Sequence, residues 1–379
     1  MSSIILSNAL QGRLILGTVV LLATLGKTAE AEIIQHPSIL GATSCSTSGC
    51  HGGAEEKSLQ YTVWSQRDVH SRAYATLTTA RSARMAEALG IKDATTSPSC
   101  VSCHAPFQAV KNANPALLAA DARVHEGVSC ASCHGPDGDW VRSHTRRDFS
   151  HADKVAAGLK DLENLHARAN SCVACHQNID PELITKGKHP RLIFELDGQT
   201  ASQPRHWKEG AGYSGAQAWR VGQAVALREM SWALENGKAG AEEKARWQGL
   251  LWVLQRVPGD ADLQGVVADN YGQARVAAER SATTAAKDHD AAQAAVWLKA
   301  LASTTDAFSD RSVDRVAQAY RAERLVLALD RLVAATPAAK KSPEVSARLD
   351  GLFNQVQSIP AFAPDAFSRE LVAFLKTLP

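Results

Sequence analysis

The chain has 379 residues, 45% hydrophobic and 21% charged, with 41 Lys and Arg against 39 Asp and Glu and a formal net charge of +2. Its basic residues are interspersed with acids and not gathered into a stripe, which excludes nucleic acid as the partner. The length suits about two domains, with ample chain for a core.

In chain order, a leader comes first. Residues 1–31 combine a basic Arg13, an apolar run from Leu14 to Leu25 and the small-residue site Ala29-Glu30-Ala31, the pattern of a secretory signal peptide. That run is short for a bilayer span, and no later segment reaches the required length. The expected mature chain begins at Glu32, is close to neutral, has no integral membrane segment and works in the periplasm.

Eight cysteines follow in four couples, each with a histidine directly after its second member. Three couples are C-x-x-C-H: Cys100, Cys103 and His104; Cys130, Cys133 and His134; Cys172, Cys175 and His176. This spacing reads as c-type haem attachment. Two thiols at a fixed separation form thioethers with the two vinyl groups of one porphyrin, and the histidine is carried under the ring to ligate iron. The first couple, Cys45 and Cys50 with His51, is longer, but Ser46, Thr47, Ser48 and Gly49 are small and turn-prone and can bulge outward. Zinc or disulfides would use the cysteines but give no reason for the four histidines. The expected cofactors are therefore four covalently attached haem c groups.

The fold class expected is mainly α: a multihaem cytochrome c domain at about 32–212 with little regular structure, then an α-helical bundle at about 213–379. The porphyrins would supply much of the first domain's core, so turn residues abound there; Tyr61 to Leu77 is its clearest helix. The glycine-rich run Lys208 to Gln217 is the expected linker. Beyond it, apolar residues recur at three- and four-residue spacings in Ala216–Gly237, Ala241–Asp260 and Ser309–Ala335. Ser342 and Pro343 open a further helix as N-cap and first residue. Trp219, Trp232, Trp247, Trp252 and Trp297 are expected in that core. No chemistry is assigned to this domain.

The sixth iron ligand decides between electron transfer and catalysis. A second histidine makes iron six-coordinate, whereas an empty position binds substrate. Eight histidines outside the motifs precede Trp207, more than the four places require: His36, His70, His125, His144, His151, His166, His189 and His206.

The order Trp64-x5-His70, then Cys100 to His104, then the run from Gly127 to His144, then His166 six residues before Cys172, resembles the tetrahaem cytochrome c-554 family over Cys45 to Asn178. The resemblance implies periplasmic electron carriers of ammonia oxidisers that take electrons from hydroxylamine oxidoreductase, with closely packed haem pairs. It implies distal positions for His70, His144 and His166, and an open position at the second haem. Here His189 or His125 can fill that position; His189 ranks first because Pro190 stiffens its backbone and an apolar stretch follows. His36, His151, His206 and His289 are expected to be structural or solvated. The pairing of distal with proximal histidines stays open.

The function expected is electron transfer between a redox enzyme or quinol oxidase and a downstream acceptor, so the partners are redox proteins. The alternative is an oxidoreductase of a small nitrogen compound working at one five-coordinate haem, with Arg142, Arg146, Arg147 and Asp148 beside His144 as acid and base groups.

Overall fold

The computed structural model describes residues 38–287 and 290–379, which leaves the leader, His36 and His289 outside the described residues. Helix accounts for 62% of the described residues, and no strands are present among them. None of the described helices is long and apolar enough to cross a membrane.

The N-terminal third is built from short helices, 3-10 segments and turns, with only small clusters of packed side chains. One comprises Leu77, Ala86, Ala94, Val101 and Ala105; another joins Phe107, Ala122 and Ala131. The expected helix from Tyr61 to Leu77 is broken. Helix Gln60–Arg67 ends at Asp68, a 3-10 turn spans Val69–Arg72, and helix Ala73–Leu77 resumes. The break follows from Asp68, whose extended backbone and buried carboxylate take the N–H of His70 and cap the turn.

The C-terminal part is the helical bundle its periodicity predicts. Helix Gly215–Glu235 is central, buried along most of its length, and is packed by helices Ala241–Leu254, Tyr271–Lys287 and Arg315–Ala335. Ser342 accepts from the N–H of Val345 as the N-cap of helix Pro343–Val356. Trp219, Trp247, Trp252 and Trp297 are buried; Trp247 donates to Ser231 Oγ (2.8 Å) and Trp297 to the Pro258 carbonyl (3.2 Å). Trp232 departs from expectation at 39% exposed, with Lys238 Nζ 4.7 Å from its ring centre.

The boundary expected near residue 212 does not divide two cores. Leu165, Ala169, Val173, Phe194 and Leu196 belong to the same buried cluster as the bundle. Gln223 Nε2 donates to the Phe194 carbonyl at 2.9 Å, and a Cβ on Gly222 would lie 2.6 Å from that of Leu196. The glycine-rich run is tied down as well: Glu209 receives two bonds from Arg168, and Tyr213 donates to Asp197 at 2.8 Å. The last haem motif thus rests on the bundle, because helix Leu165–His176 carries both.

Two predictions arise from this packing. At Gly249 an added Cβ would meet the carbonyl oxygen of Tyr320 at 2.7 Å and its carbon at 2.8 Å, both backbone atoms that cannot rotate away. Gly→Ala in a helix gains roughly 1 kcal/mol of propensity, but forcing two packed helices apart costs about 1–3 kcal/mol. Gly249→Ala should therefore lower stability by up to about 2 kcal/mol in thermal or denaturant unfolding; a rise would show that the helices yield.

Glu195 caps helix Leu196–Ser202 by accepting from the N–H groups of Asp197 and Gly198. Burial, with Asp197 adding repulsion, pushes its carboxyl up to about 7 against opposing pulls from those N–H groups and Arg331. The folded chain therefore holds a proton that the unfolded chain releases near 4.5. This contribution is fully present below 4.5 and lost as pH rises to about 7, by of order 3 kcal/mol. Unfolding midpoints at pH 5 and pH 8 should show a smaller decline in Glu195→Gln than in wild type; equal declines would place the titrating group elsewhere.

Candidate haem-binding sites

Each C-x-x-C-H motif is helical and ends its helix at the histidine: Pro98–His104, Cys130–His134 and Leu165–His176. On a helix, residues three apart share one face, so the two sulfurs of each motif point the same way and the histidine follows at the helix end. Pro98 at the first helical turn and glycine at 135, with φ +87°, bracket two of these short segments.

The longer first couple reaches its end by a different route. The N–H of His51 donates to the Cys45 carbonyl (3.1 Å) and that of Gly52 to the Thr47 carbonyl (3.0 Å), closing the loop, while Thr47, Ser48 and Gly49 face solvent. A Cβ on Gly52 would sit 1.7 Å from the Ser46 carbonyl oxygen. The glycine after the motif is thus required by the closed loop.

No disulfide joins any of the eight cysteines. Among the described residues no three His, Cys, Asp or Glu side chains converge into a metal cage, the arrangement a zinc site would need. Cysteines of different motifs are neighbours: Cys45 is beside Cys130, and Cys103 beside Cys175. Burial disfavours ionisation of Cys172, and the nearby Cys133 adds to it.

Every motif histidine faces one other histidine. Ring centres are 6.1 Å apart for His51 and His144, 6.1 Å for His176 and His70, 6.3 Å for His104 and His189, and 6.3 Å for His134 and His206. A metal–imidazole bond is about 2 Å, and a ring centre lies about 1.1 Å beyond its nitrogen. Two imidazoles on opposite sides of one iron therefore have centres about 6 Å apart, which all four pairs match.

Hydrogen bonds orient these rings as second-shell partners orient metal ligands. Nδ1 of His51 meets Gln60 Oε1 (3.1 Å), that of His104 meets Thr76 Oγ1 (3.0 Å), that of His189 meets the Pro190 carbonyl (2.8 Å), and that of His144 meets the Val141 carbonyl. In each case Nε2 is left to ligate. His70 Nδ1 meets Asp68 at 2.9 Å. Burial opposes the charge on Asp68, but hydrogen bonds from the His70 ring and backbone and from Gln203 outweigh it and hold the carboxyl down to about 2. Burial first, and His206 after it, push His134 down to about 4; burial also lowers His104, His176 and His206. These rings are neutral at neutral pH, the form that binds metal. Nδ1 of His206 is buried with no hydrogen-bond partner.

Three histidines stand differently from the sequence expectation. His206, read as structural or solvated, is the one set across from His134. His166 is turned to Glu279 (3.2 Å) and Asn170 (3.2 Å) and is not set across from a motif histidine. His125 lies beside Tyr74, ring centres 6.3 Å apart. His151 is paired with Asp161 at 3.2 Å in a half-exposed position, as a solvated histidine should be. Of the groups flanking His144, Arg146 and Asp148 form an exposed ion pair with each other. No spacing marks His206; its only sequence signal is Trp207, whose ring packs edge-on against it at 5.1 Å.

Sulfur couples that share a helix face, each delivering a histidine to a ring of fitting separation, define a c-type cytochrome with haem c as its cofactor. Residues 44–135 match the family model described as Cytochrome c554 and c-prime, so this stretch of the chain is similar to that family. The matched stretch contains the first three motifs and ends before the fourth. No match was found among curated proteins or solved structures.

Proposed function

We propose that this chain is a periplasmic tetrahaem electron carrier in which every iron has two histidine ligands: His51 with His144, His104 with His189, His134 with His206, and His176 with His70. The observation that carries the reading is the common 6.1–6.3 Å separation of the four ring pairs. When bound, the haem groups supply one-electron redox chemistry at iron. The eight cysteines hold them through thioether bonds, and the paired imidazoles leave no position free for substrate. Asp68 strengthens the donor character of His70 by accepting from its Nδ1, as Thr76 and Gln60 fix the rings of His104 and His51.

The sulfur pairs Cys45 with Cys130 and Cys103 with Cys175 support two close couples of haems, and Cys133 beside Cys172 supports a link between the couples. Such an arrangement suits a relay between a redox enzyme or quinol oxidase and a downstream acceptor. The enzyme reading needs one motif histidine without a facing histidine, and each of the four has one. Carbon monoxide, which binds ferrous iron only at a free or labile position, tests the choice. The absorption spectrum of the reduced protein should be unchanged by the gas; a shift in about a quarter of the Soret band would favour the enzyme.

A further inference from the structure

A cavity of about 710 Å³ lies where the residues after His176 meet the bundle, with Ile179, Leu192, Met230 and Trp232 in its wall. Its volume is that of a small-molecule site, and Trp232, 39% exposed, brings it to the surface. Arg324, on helix Arg315–Ala335, also lines it. This guanidinium is only 3% exposed, and its Nε and Nη1 are buried without any hydrogen-bond partner.

The other charges of the wall are engaged. Arg191 pairs with Glu242 and Glu243, Arg246 with Glu242 and Glu323, and Lys238 lies over the Trp232 ring. Glu182 holds Lys186, and Asp180 caps the short helix Pro181–Thr185. Arg324 is thus a buried cation in an otherwise matched wall. A buried charge left unpaired is strongly unfavourable, and a guanidinium is shaped to take a carboxylate or similar oxyanion through two parallel hydrogen bonds.

We propose that Arg324 is the anchor of an anion-binding site that takes a carboxylate with an apolar body, its head on the guanidinium and its body against Ile179, Leu192, Met230 and Trp232. Two sources share this chemistry: a free small carboxylate, or a propionate of a haem held beside the cavity, whose wall begins one residue after His176. Only the propionate source rests on the haem assignments above.

The test compares the full-length holoprotein with Arg324→Met and Arg324→Lys. Benzoate is the probe, followed by titration calorimetry, and haem midpoint potentials are measured in parallel. Saturable benzoate binding that weakens at least tenfold in Arg324→Met, and less in Arg324→Lys, supports a free carboxylate. Absence of benzoate binding, together with a midpoint of one haem that falls when the cation is removed and falls less in Arg324→Lys, supports the propionate. Benzoate binding equally tight in all three proteins, or neither heat nor a shifted potential, overturns the proposal. Should Arg324→Met fail to fold, Arg324→Lys carries the comparison, and binding and potentials identical to wild type would overturn it too.

Discussion

Replacing His206 by alanine should turn one haem in four into a gas-binding, high-spin centre. The ring of His206 stands 6.3 Å from that of His134, and its buried Nδ1 has no other partner in the protein. With the proposed ligation, removing it would empty one side of the iron in the haem bonded to Cys130 and Cys133, and the small side chain left behind cannot ligate. Carbon monoxide should then shift about a quarter of the reduced Soret band, against none in wild type. The controls make the result specific. His166 is committed to Glu279 and Asn170, and His125 lies beside Tyr74, so His166→Ala and His125→Ala should leave the gas-treated spectrum as in wild type. A response from His166→Ala and none from His206→Ala would restore the ligand set implied by the resemblance and reject the one read from geometry.

Gly127→Ala should be among the most damaging single substitutions in the N-terminal part, by of order 3 kcal/mol, since a backbone held in a sparsely populated region costs about 1–3 kcal/mol and a steric clash adds to it. Gly127 has φ +71° and ψ −137°, a conformation essentially confined to glycine. Its added Cβ would sit 2.5 Å from the carbonyl oxygen of His70, 3.0 Å from that of Ser71 and 3.1 Å from the nitrogen of Ala73. The next residue clamps the same place: the Val128 N–H donates to the His70 carbonyl at 2.9 Å, and Trp64 Nε1 donates to the Val128 carbonyl at 3.0 Å. Relief of the clash must therefore move His70 relative to His176. Besides the lower unfolding midpoint, carbon monoxide should gain partial access to the haem of Cys172 and Cys175. Gly90→Ala is the matched control, with φ +67° but nothing within 4 Å of its Cβ; it should cost only about 1 kcal/mol and leave the spectrum alone. Equal effects at the two glycines would mean that Gly127 does not position His70.

The cysteine–histidine motifs are legible in the sequence because they are local. A thiol pair and a histidine within five residues can be read without knowing the fold, and the helical segments ending at His104, His134 and His176 obey that spacing. The bundle was equally legible from periodicity, down to Ser342 as a cap. Distal ligation is different in kind, since it joins residues far apart in the chain. His189 could be ranked from Pro190 beside it, whereas His206 sits more than seventy residues from His134 with no motif around it. His166, expected at a distal position, lies six residues before Cys172 on the same helix as the motif, where it turns toward Glu279 on helix Tyr271–Lys287. The expected boundary at 212 also rested on local composition. Glycines marked a linker, but the anchoring partners of that run, Arg168 and Asp197, lie upstream of it and could be seen only in three dimensions.

The central claim is that four porphyrins are bonded through sulfur to this polypeptide, one for each couple and the lengthened Cys45–Cys50 couple included. Intact-mass spectrometry of the purified mature protein tests it most directly. The account predicts the mass of the polypeptide plus four haem groups, retained under denaturing conditions, and one group fewer when Cys45 and Cys50 are both replaced by alanine. A wild-type mass carrying three groups or fewer, or one that matches zinc or disulfides, would contradict it.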